Sequence, residues 1–139
     1  MARKDLYVAD LMTRNVLTLK PSDRVVDHLD IFKQHGIRHA PVVDAGKVVG
    51  IVSEKDFENY VNIIKIMNDR EDPVEIKDVM TTPVFTYSEE IGIDAAAQAM
   101  IDNNINAIVI HSRGEELAGI LTSTDLLRHL ANRDRWSSF

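Results

Sequence analysis

Hydrophobic and polar positions follow the same order twice along the 139-residue chain. Each copy has a short apolar segment, a stretch with apolar residues at positions i, i+4 and i+7, two more apolar segments and a final amphipathic stretch. Short apolar segments predict strands, and the i, i+4, i+7 spacing predicts helices with one buried face. The predicted strands are 16–18, 40–43 and 48–52 in the first copy, and 84–86, 108–110 and 117–121 in the second.

The predicted helices begin and end at matching residues in the two copies. The first helix of each copy ends at Gly36 or Asn104, and both residue types tolerate the left-handed conformation of a helix cap. The final helices begin near Ser53 and Thr122, and the first of them continues to about Met67. The apolar faces of the two earlier helices are Val25, Leu29 and Phe32 in one copy, and Ile93, Ala97 and Met100 in the other.

A fixed period of 68 or 69 residues relates the two copies. Asp10-Leu11-Met12-Thr13 recurs as Asp78-Val79-Met80-Thr81, and Gly50-Ile51 recurs as Gly119-Ile120. Such a period indicates one supersecondary unit built twice. One unit alone is too small to bury both faces of its sheet, so we expect the two to pack about a pseudo-two-fold axis. The prediction is an α/β (α+β) fold of two β-α-β-β-α repeats at 5–72 and 73–131, with a flexible tail at 132–139.

The composition narrows the class of protein. The net charge of −6 argues against binding to the phosphate backbone of nucleic acid. The absence of cysteine excludes disulfides and thiolate chemistry. The chain has no apolar run long enough to cross a bilayer, so we expect a cytoplasmic protein without membrane insertion. The five histidines are scattered through the chain, and we expect no metal site.

The sharpest chemical signal is a Ser/Thr-x-x-Asp element that follows a strand and opens a helix in each copy. It is formed by Ser53 and Asp56 in the first copy and by Thr122 and Asp125 in the second. A helix N-terminus suits a phosphate, and a carboxylate can accept hydrogen bonds from both hydroxyls of a ribose. The same spacing also forms a capping box that stabilises the helix and binds nothing. Both interpretations remain open from the residues alone.

These motifs together resemble a pair of cystathionine-beta-synthase (CBS) domains. The resemblance is carried by the Asp-x-Met-Thr segments, by residues 37–43 and by the Gly-Ile-x-Ser/Thr-x-x-Asp segments, and it covers residues 5–131. It implies up to two sites for an adenosyl ligand, namely AMP, ADP, ATP, an NAD-type dinucleotide or S-adenosylmethionine. It also implies a homodimer that regulates an enzyme, channel or transporter and catalyses nothing itself.

The resemblance assigns residues to two ligand sites. In the first, Asp56 holds the ribose and Ser53 a hydroxyl or phosphate. The phosphates of that ligand lie near Arg38, His39 and Lys55, and its base near Ile105, Asn106 and Ala107. In the second, Asp125 holds the ribose, and Thr122 and Thr124 lie at the phosphate. The base of that ligand lies near Ile37, Arg38 and His39, with Thr13 at its edge.

The leading prediction is therefore a regulatory or sensor module that binds an adenosyl ligand in the cleft between the repeats and signals to a partner protein. The second repeat has Asn106 and Ala107 in place of Arg38 and His39. The Asp56 site is accordingly expected to suit phosphates, and the Asp125 site a less charged ligand or none. The alternative is a ligand-free interaction or dimerisation scaffold. An enzyme ranks third, because the chain shows no evident nucleophile and base pair.

Overall fold

The computed structural model describes residues 6–67, 74–114 and 116–133. The chain forms two compact units, one of residues 17–84 and one that joins the residues before 17 to those from 85 onward. Each Asp-x-Met-Thr segment thus belongs to the unit that contains the other repeat's strands. The division of the sequence into repeats at residue 72 stays a prediction. The part of the predicted tail from residue 134 onward lies outside the described residues.

Six helices and five strands are formed by the described residues. The helices are α1 (Val8–Leu11), α2 (Ile31–His35), α3 (Glu54–Met67), α4 (Ile76–Val79), α5 (Ile93–Asn103) and α6 (Ser123–Arg133), with a 3-10 turn at Val25–His28 before α2. The strands are β1 (His39–Asp44), β2 (Lys47–Ser53), β3 (Thr86–Ser88), β4 (Ala107–His111) and β5 (Leu117–Thr122). The two predicted hairpins and the starts of both final helices are confirmed. The second final helix, α6, ends at Arg133.

In the unit of residues 17–84, β1 and β2 form an antiparallel hairpin. Its turn places Ala45 and Gly46 at positive φ angles of 51° and 81°, as the turns of two-residue hairpins require. One face of the hairpin packs on the helices, and the Phe32 and Phe57 rings meet edge to face with centroids 5.0 Å apart. The buried core of this unit is Leu19, Val25, Phe32, Ala40, Val42, Val52, Phe57, Tyr60 and Ile76.

The strand predicted at 16–18 is wrong. In its place, Leu19 forms a single parallel bridge to Val42. In the other unit β3 does pair with β4, and the N–H of Val109 donates to the carbonyl oxygen of Phe85 at 3.2 Å. The residue that matches Val109 is Pro41, which has no N–H to donate. The proline therefore removes the hydrogen bond that would extend the pairing back along the chain.

The single helix predicted across 25–35 is also wrong, because the segment splits into a 3-10 turn and the short α2. Its counterpart α5 is continuous over 11 residues. The difference follows from helix propensity, since α5 has Ala95-Ala96-Ala97 where the first repeat has Asp27-His28-Leu29. Both segments nevertheless end as predicted, with Gly36 and Asn104 in the left-handed conformation at φ 62° and 52°.

The other unit contains a three-stranded sheet in the order β3-β4-β5. The first two strands are parallel, and β4 and β5 form an antiparallel hairpin. Ala96 and Met100 of α5 pack against this sheet. Of the predicted apolar face, Met100 is buried and Ile93 and Ala97 are half-buried, and Ala96, which was not predicted, is fully buried beside them. The buried core of this unit is Val8, Met12, Ala96, Met100, Ile108, Ile110 and Leu121.

In each unit the Asp-x-Met-Thr segment packs directly against the glycine of the Gly-Ile segment. Gly119 lies so close to Met12 and Thr13 that a Cβ atom there would be 2.5 Å from the Thr13 carbonyl oxygen. A Cβ atom on Gly50 would be 2.5 Å from Met80 Sδ. Glycine is required at Gly119 because the backbone of Thr13 passes directly over the strand, whereas the atoms nearest to Gly50 belong to the Met80 side chain. None of the helices in the described part of the chain combines the length and the apolar content that crossing a membrane requires.

Candidate functional site

The carboxylate of Asp56 lies at the amino end of α3, where β2 stops. The Ser53 N–H donates to Asp56 Oδ2 at 2.8 Å, and the Asp56 N–H donates to Ser53 Oγ at 3.1 Å. This reciprocal pair is the capping box that the spacing predicts. It uses one carboxylate oxygen and orients the side chain.

The hairpin register brings His39 close to this carboxylate and places the backbone of Arg38 at the start of α3. His39 faces Ser53 across the hairpin, and the Glu54 N–H donates to the Arg38 carbonyl oxygen at 2.8 Å. Partial burial lowers the pKa of His39 below 6.5. The Asp56 charge opposes this shift, and the Arg38 charge adds to it. The structure thus places His39 near Ser53 and Asp56, with the Arg38 backbone bonded to the start of α3, and the ligand roles of these residues stay predictions.

The lowered pKa of His39 predicts a loss of stability in acid. Between the folded pKa and 6.5 the unfolded chain binds more protons at this residue, so the free energy of unfolding falls as pH falls through that window. One proton limits the slope to about 1.4 kcal/mol per pH unit. We expect urea unfolding of His39→Gln from pH 8 to 5 to show a shallower decline than that of the wild type. His35→Gln, at an exposed position, should follow the wild-type curve, and parallel curves for all three proteins would count against this prediction.

Asp125 repeats the arrangement at the amino end of α6. The Thr122 N–H donates to Asp125 Oδ2 at 2.9 Å, and the Asp125 N–H donates to Thr122 Oγ1 at 3.2 Å. The other oxygen, Oδ1, lies 3.5 Å from Arg128 Nη1. The Asp125 side chain is 12% exposed. Arg128 was not predicted from the sequence, although its spacing of three residues from Asp125 on a helix is a visible signal.

Asn106 and Ala107 occupy the places of Arg38 and His39 in this unit. Ala107 faces Thr122 across the hairpin, and the Ser123 N–H donates to the Asn106 carbonyl oxygen at 2.8 Å. The two carboxylates therefore have the same backbone frame and different neighbouring side chains.

Thr13 pairs with β5 of the hairpin that precedes Asp125, and its contact with a ligand base stays a prediction. Its N–H donates to the Ile120 carbonyl oxygen at 2.9 Å, and the Ile120 N–H donates back to the Thr13 carbonyl oxygen at 3.0 Å. Thr81 makes the same two bonds with Ile51 in the other unit. Thr81 was missed as a candidate site residue, although the 68-residue period relates it directly to Thr13.

The remaining predicted site residues differ in exposure. Lys55 and Thr124 are exposed in the first turns of α3 and α6. Ile37 and Ile105 are partly buried and pack against the core of their own units. The predicted contributions of one repeat to the ligand of the other stay predictions. Within the described residues, no group of three His, Asp or Glu side chains could hold a metal ion.

The sequence and the fold both match those of known proteins. The sequence profile of the CBS domain matches residues 8–63 and 76–132. The CBS domain pair of protein MJ0100, solved in complex with 5′-methylthioadenosine and S-adenosyl-L-methionine, is 25% identical with a TM-score of 0.80. That match covers 94% of this chain and 99% of the solved chain. A Vibrio cholerae protein with the name AcuB is 25% identical with a TM-score of 0.84, over 99% of this chain and all of the other.

The relatives found by sequence are longer than the region that this chain matches. The Methanopyrus kandleri protein MK0525, which is uncharacterised, is 27% identical over 90% of this chain and 63% of its own length. The chain spans only 47% and 41% of two uncharacterised relatives from Methanocaldococcus jannaschii. The matches confirm the predicted fold of two repeats with mixed helix and strand content.

Proposed function

The chain belongs to the CBS domain family, and on that basis we propose that it is a regulatory module that binds an adenosyl ligand at Asp56, at Asp125 or at both. The observation that carries the proposal is the doubled placement of a carboxylate at the amino end of a helix, with one of its two oxygens held by the capping box and the other not used by that box. A carboxylate oriented in this way can accept hydrogen bonds from the hydroxyls of a ribose.

The adenosyl class is supported by the ligands of the MJ0100 domain pair. Both of those ligands contain adenosine, and neither contains a phosphate. We therefore propose adenosine as the shared recognition element, without choosing among AMP, ADP, ATP, an NAD-type dinucleotide and S-adenosylmethionine. Calorimetric titration with 5′-methylthioadenosine, S-adenosylmethionine and AMP tests this proposal, with guanosine as the control ligand.

The environments of the two carboxylates differ, and this supports different roles for them. Arg38 and His39 give the Asp56 site donors for an anionic ligand, and a bound phosphate would favour the protonated form of His39. At both sites the carboxylate accepts a hydrogen bond from the backbone of its own turn, which suits a fixed binding group better than a mobile acid or base. We propose that the module acts by binding alone and changes the activity of a partner protein. Its cytoplasmic location remains a prediction.

A ligand-free scaffold remains the second candidate, because the capping boxes also have a purely structural use. Each box satisfies two backbone N–H groups at a helix end, and such a cap alone contributes about 1 kcal/mol. In that case no adenosyl ligand would bind, and the repetition of the Ser/Thr-x-x-Asp spacing within the chain would reflect helix stability.

The proposed homodimer predicts a role for the exposed apolar side chains of α3. Ile63 and Ile66 are 54% and 84% exposed. Burying one isoleucine contributes about 1.5–3 kcal/mol, so we expect Ile66→Asp to raise the dimer dissociation constant by at least about 10-fold. Gln34→Glu adds the same charge at an exposed position of α2, away from the face that carries Ile63 and Ile66, and should leave the dimer intact. Sedimentation equilibrium measures both, and a monomeric wild-type mass at micromolar concentration would exclude the dimer.

A further inference from the structure

Arg128 places a positive charge beside Asp125 that the sequence interpretation of this site did not include. Its Nη1 atom lies 3.5 Å from Asp125 Oδ1, on the side of the carboxylate that the capping box leaves unused. Helical side chains lean toward the amino end of their helix, so the guanidinium lies over the first turn of α6. The Arg128 side chain is 66% exposed, so most of its donors remain accessible to a ligand.

The two repeats carry their cations on different elements. In the first repeat the cation Arg38 and the protonatable His39 come from the hairpin, and the residue that matches Arg128 is Asn59. In the second repeat the hairpin positions are the uncharged Asn106 and Ala107, and the cation comes from the helix. Each carboxylate therefore has a positively charged or protonatable neighbour, and the helix replaces what the hairpin lacks.

Helix stability does not account well for the placement of Arg128. An ion pair between exposed residues three positions apart contributes little, and 3.5 Å is longer than the usual charge-assisted hydrogen bond. The guanidinium is a planar group with five N–H donors, and it matches the oxygens of a phosphate. The Thr122 side chain lies next to the same carboxylate and adds a hydroxyl donor.

We propose that Arg128 is the residue by which the Asp125 site selects adenosine ligands that carry a 5′-phosphate over those that do not, an inference that rests on the proposed function. The uncharged hairpin of this repeat then no longer implies an uncharged ligand. Arg128 keeps Asp125 paired in the absence of ligand and offers its remaining donors to the phosphate when the ribose binds.

The test uses Asp56→Ala protein, in which the Asp125 site is measured alone, and compares it with the same protein carrying Arg128→Gln. Calorimetric titration with AMP and adenosine gives the affinity for each probe. We expect Arg128→Gln to weaken AMP binding on the order of 10-fold and to change adenosine binding by less than about 2-fold. Because the guanidinium is exposed, the difference should shrink at high salt. Arg113→Gln removes the same charge from an exposed residue of the same unit, whose Nε donates to Glu90, and should change neither affinity.

Several results would overturn this assignment and leave the proposed function in place. Equal losses of affinity for AMP and adenosine, or no loss for either, would do so. A gain of affinity for both would also do so, since it would mean that Arg128 competes with the ribose. The same holds if Asp56→Ala abolishes entirely the binding that the wild-type protein shows. Failure of the wild-type protein to bind any adenosyl ligand would overturn the proposed function and this inference with it. Thermal unfolding of each variant checks the fold, and Arg128→Lys, which keeps the charge without the planar donors, should lose only part of the AMP affinity.

Discussion

Replacing Asp56 with alanine is expected to weaken binding of the adenosyl ligand at its site by 10- to 100-fold. The carboxylate would accept charge-assisted hydrogen bonds from the ribose, and their loss costs about 1.5–3 kcal/mol. The same change removes the carboxylate oxygen that accepts the Ser53 N–H, so the protein should also lose about 1 kcal/mol of stability. Calorimetry measures the change in affinity, and urea unfolding measures the change in stability. Both are carried out in protein that also carries Asp125→Ala, so that only the Asp56 site can bind ligand.

Asp78→Ala is the matched control for this change. Asp78 Oδ2 accepts the Glu75 N–H at 3.0 Å in a capping box of the same unit, and it has no proposed part in ligand binding. It should lose a comparable amount of stability and keep its affinity. If Asp78→Ala weakened binding as much as Asp56→Ala, the effect would come from helix stability alone, and the ribose role of Asp56 would be wrong.

Replacing Gly119 with alanine is expected to cost about 3 kcal/mol of stability, near the upper end for an overpacked site. The new Cβ atom would lie 2.5 Å from the Thr13 carbonyl oxygen. That oxygen cannot easily move away, because the backbones of Thr13 and Ile120 are joined by two hydrogen bonds. Urea unfolding monitored by circular dichroism measures the change.

Two other glycines test the reason for this cost. A Cβ atom on Gly114 would meet nothing within 4 Å, so Gly114→Ala should change stability by less than about 0.5 kcal/mol. At Gly50 the nearest atoms belong to the flexible Met80 side chain, and the Thr81 carbonyl oxygen is farther, at 3.2 Å. Gly50→Ala should therefore cost less than Gly119→Ala. Equal losses of stability in Gly50→Ala and Gly119→Ala would show that contact with the backbone is not what makes glycine necessary.

The repeat in the sequence predicted most of the secondary structure, and its failures have identifiable local causes. The prediction at 16–18 failed because a strand needs a partner N–H, and Pro41 in the neighbouring strand has none. The first helix of repeat 1 was predicted from the spacing of its apolar residues. That spacing takes no account of helix propensity, which is low for the polar and β-branched residues of this segment. The pairing of each Asp-x-Met-Thr segment with the other repeat's glycine could not be predicted, because two similar segments fit two similar strands equally well.

The candidate site was predicted in part. The spacing of Ser53 and Asp56 predicted the capping box that the structure contains, since that geometry depends only on local sequence. Whether the carboxylate also binds a ribose is not a property of the box, because the same hydrogen bonds form in either case. The cation beside Asp125 was missed because the comparison of the repeats considered the hairpin positions and not the helix position that Arg128 occupies.

The most direct measurement is a thermal-shift titration of purified, ligand-free protein with 5′-methylthioadenosine, S-adenosylmethionine, AMP and guanosine. A ligand that binds only the folded state raises the melting temperature, with a stabilisation of about 2.7 kcal/mol at one hundred times its dissociation constant. We expect a rise with at least one adenosyl ligand, none with guanosine, and none with any ligand in the Asp56→Ala/Asp125→Ala double variant. An unchanged melting temperature of the wild-type protein with every adenosyl ligand, or a rise that persists in a folded double variant, would contradict adenosyl binding at these two carboxylates.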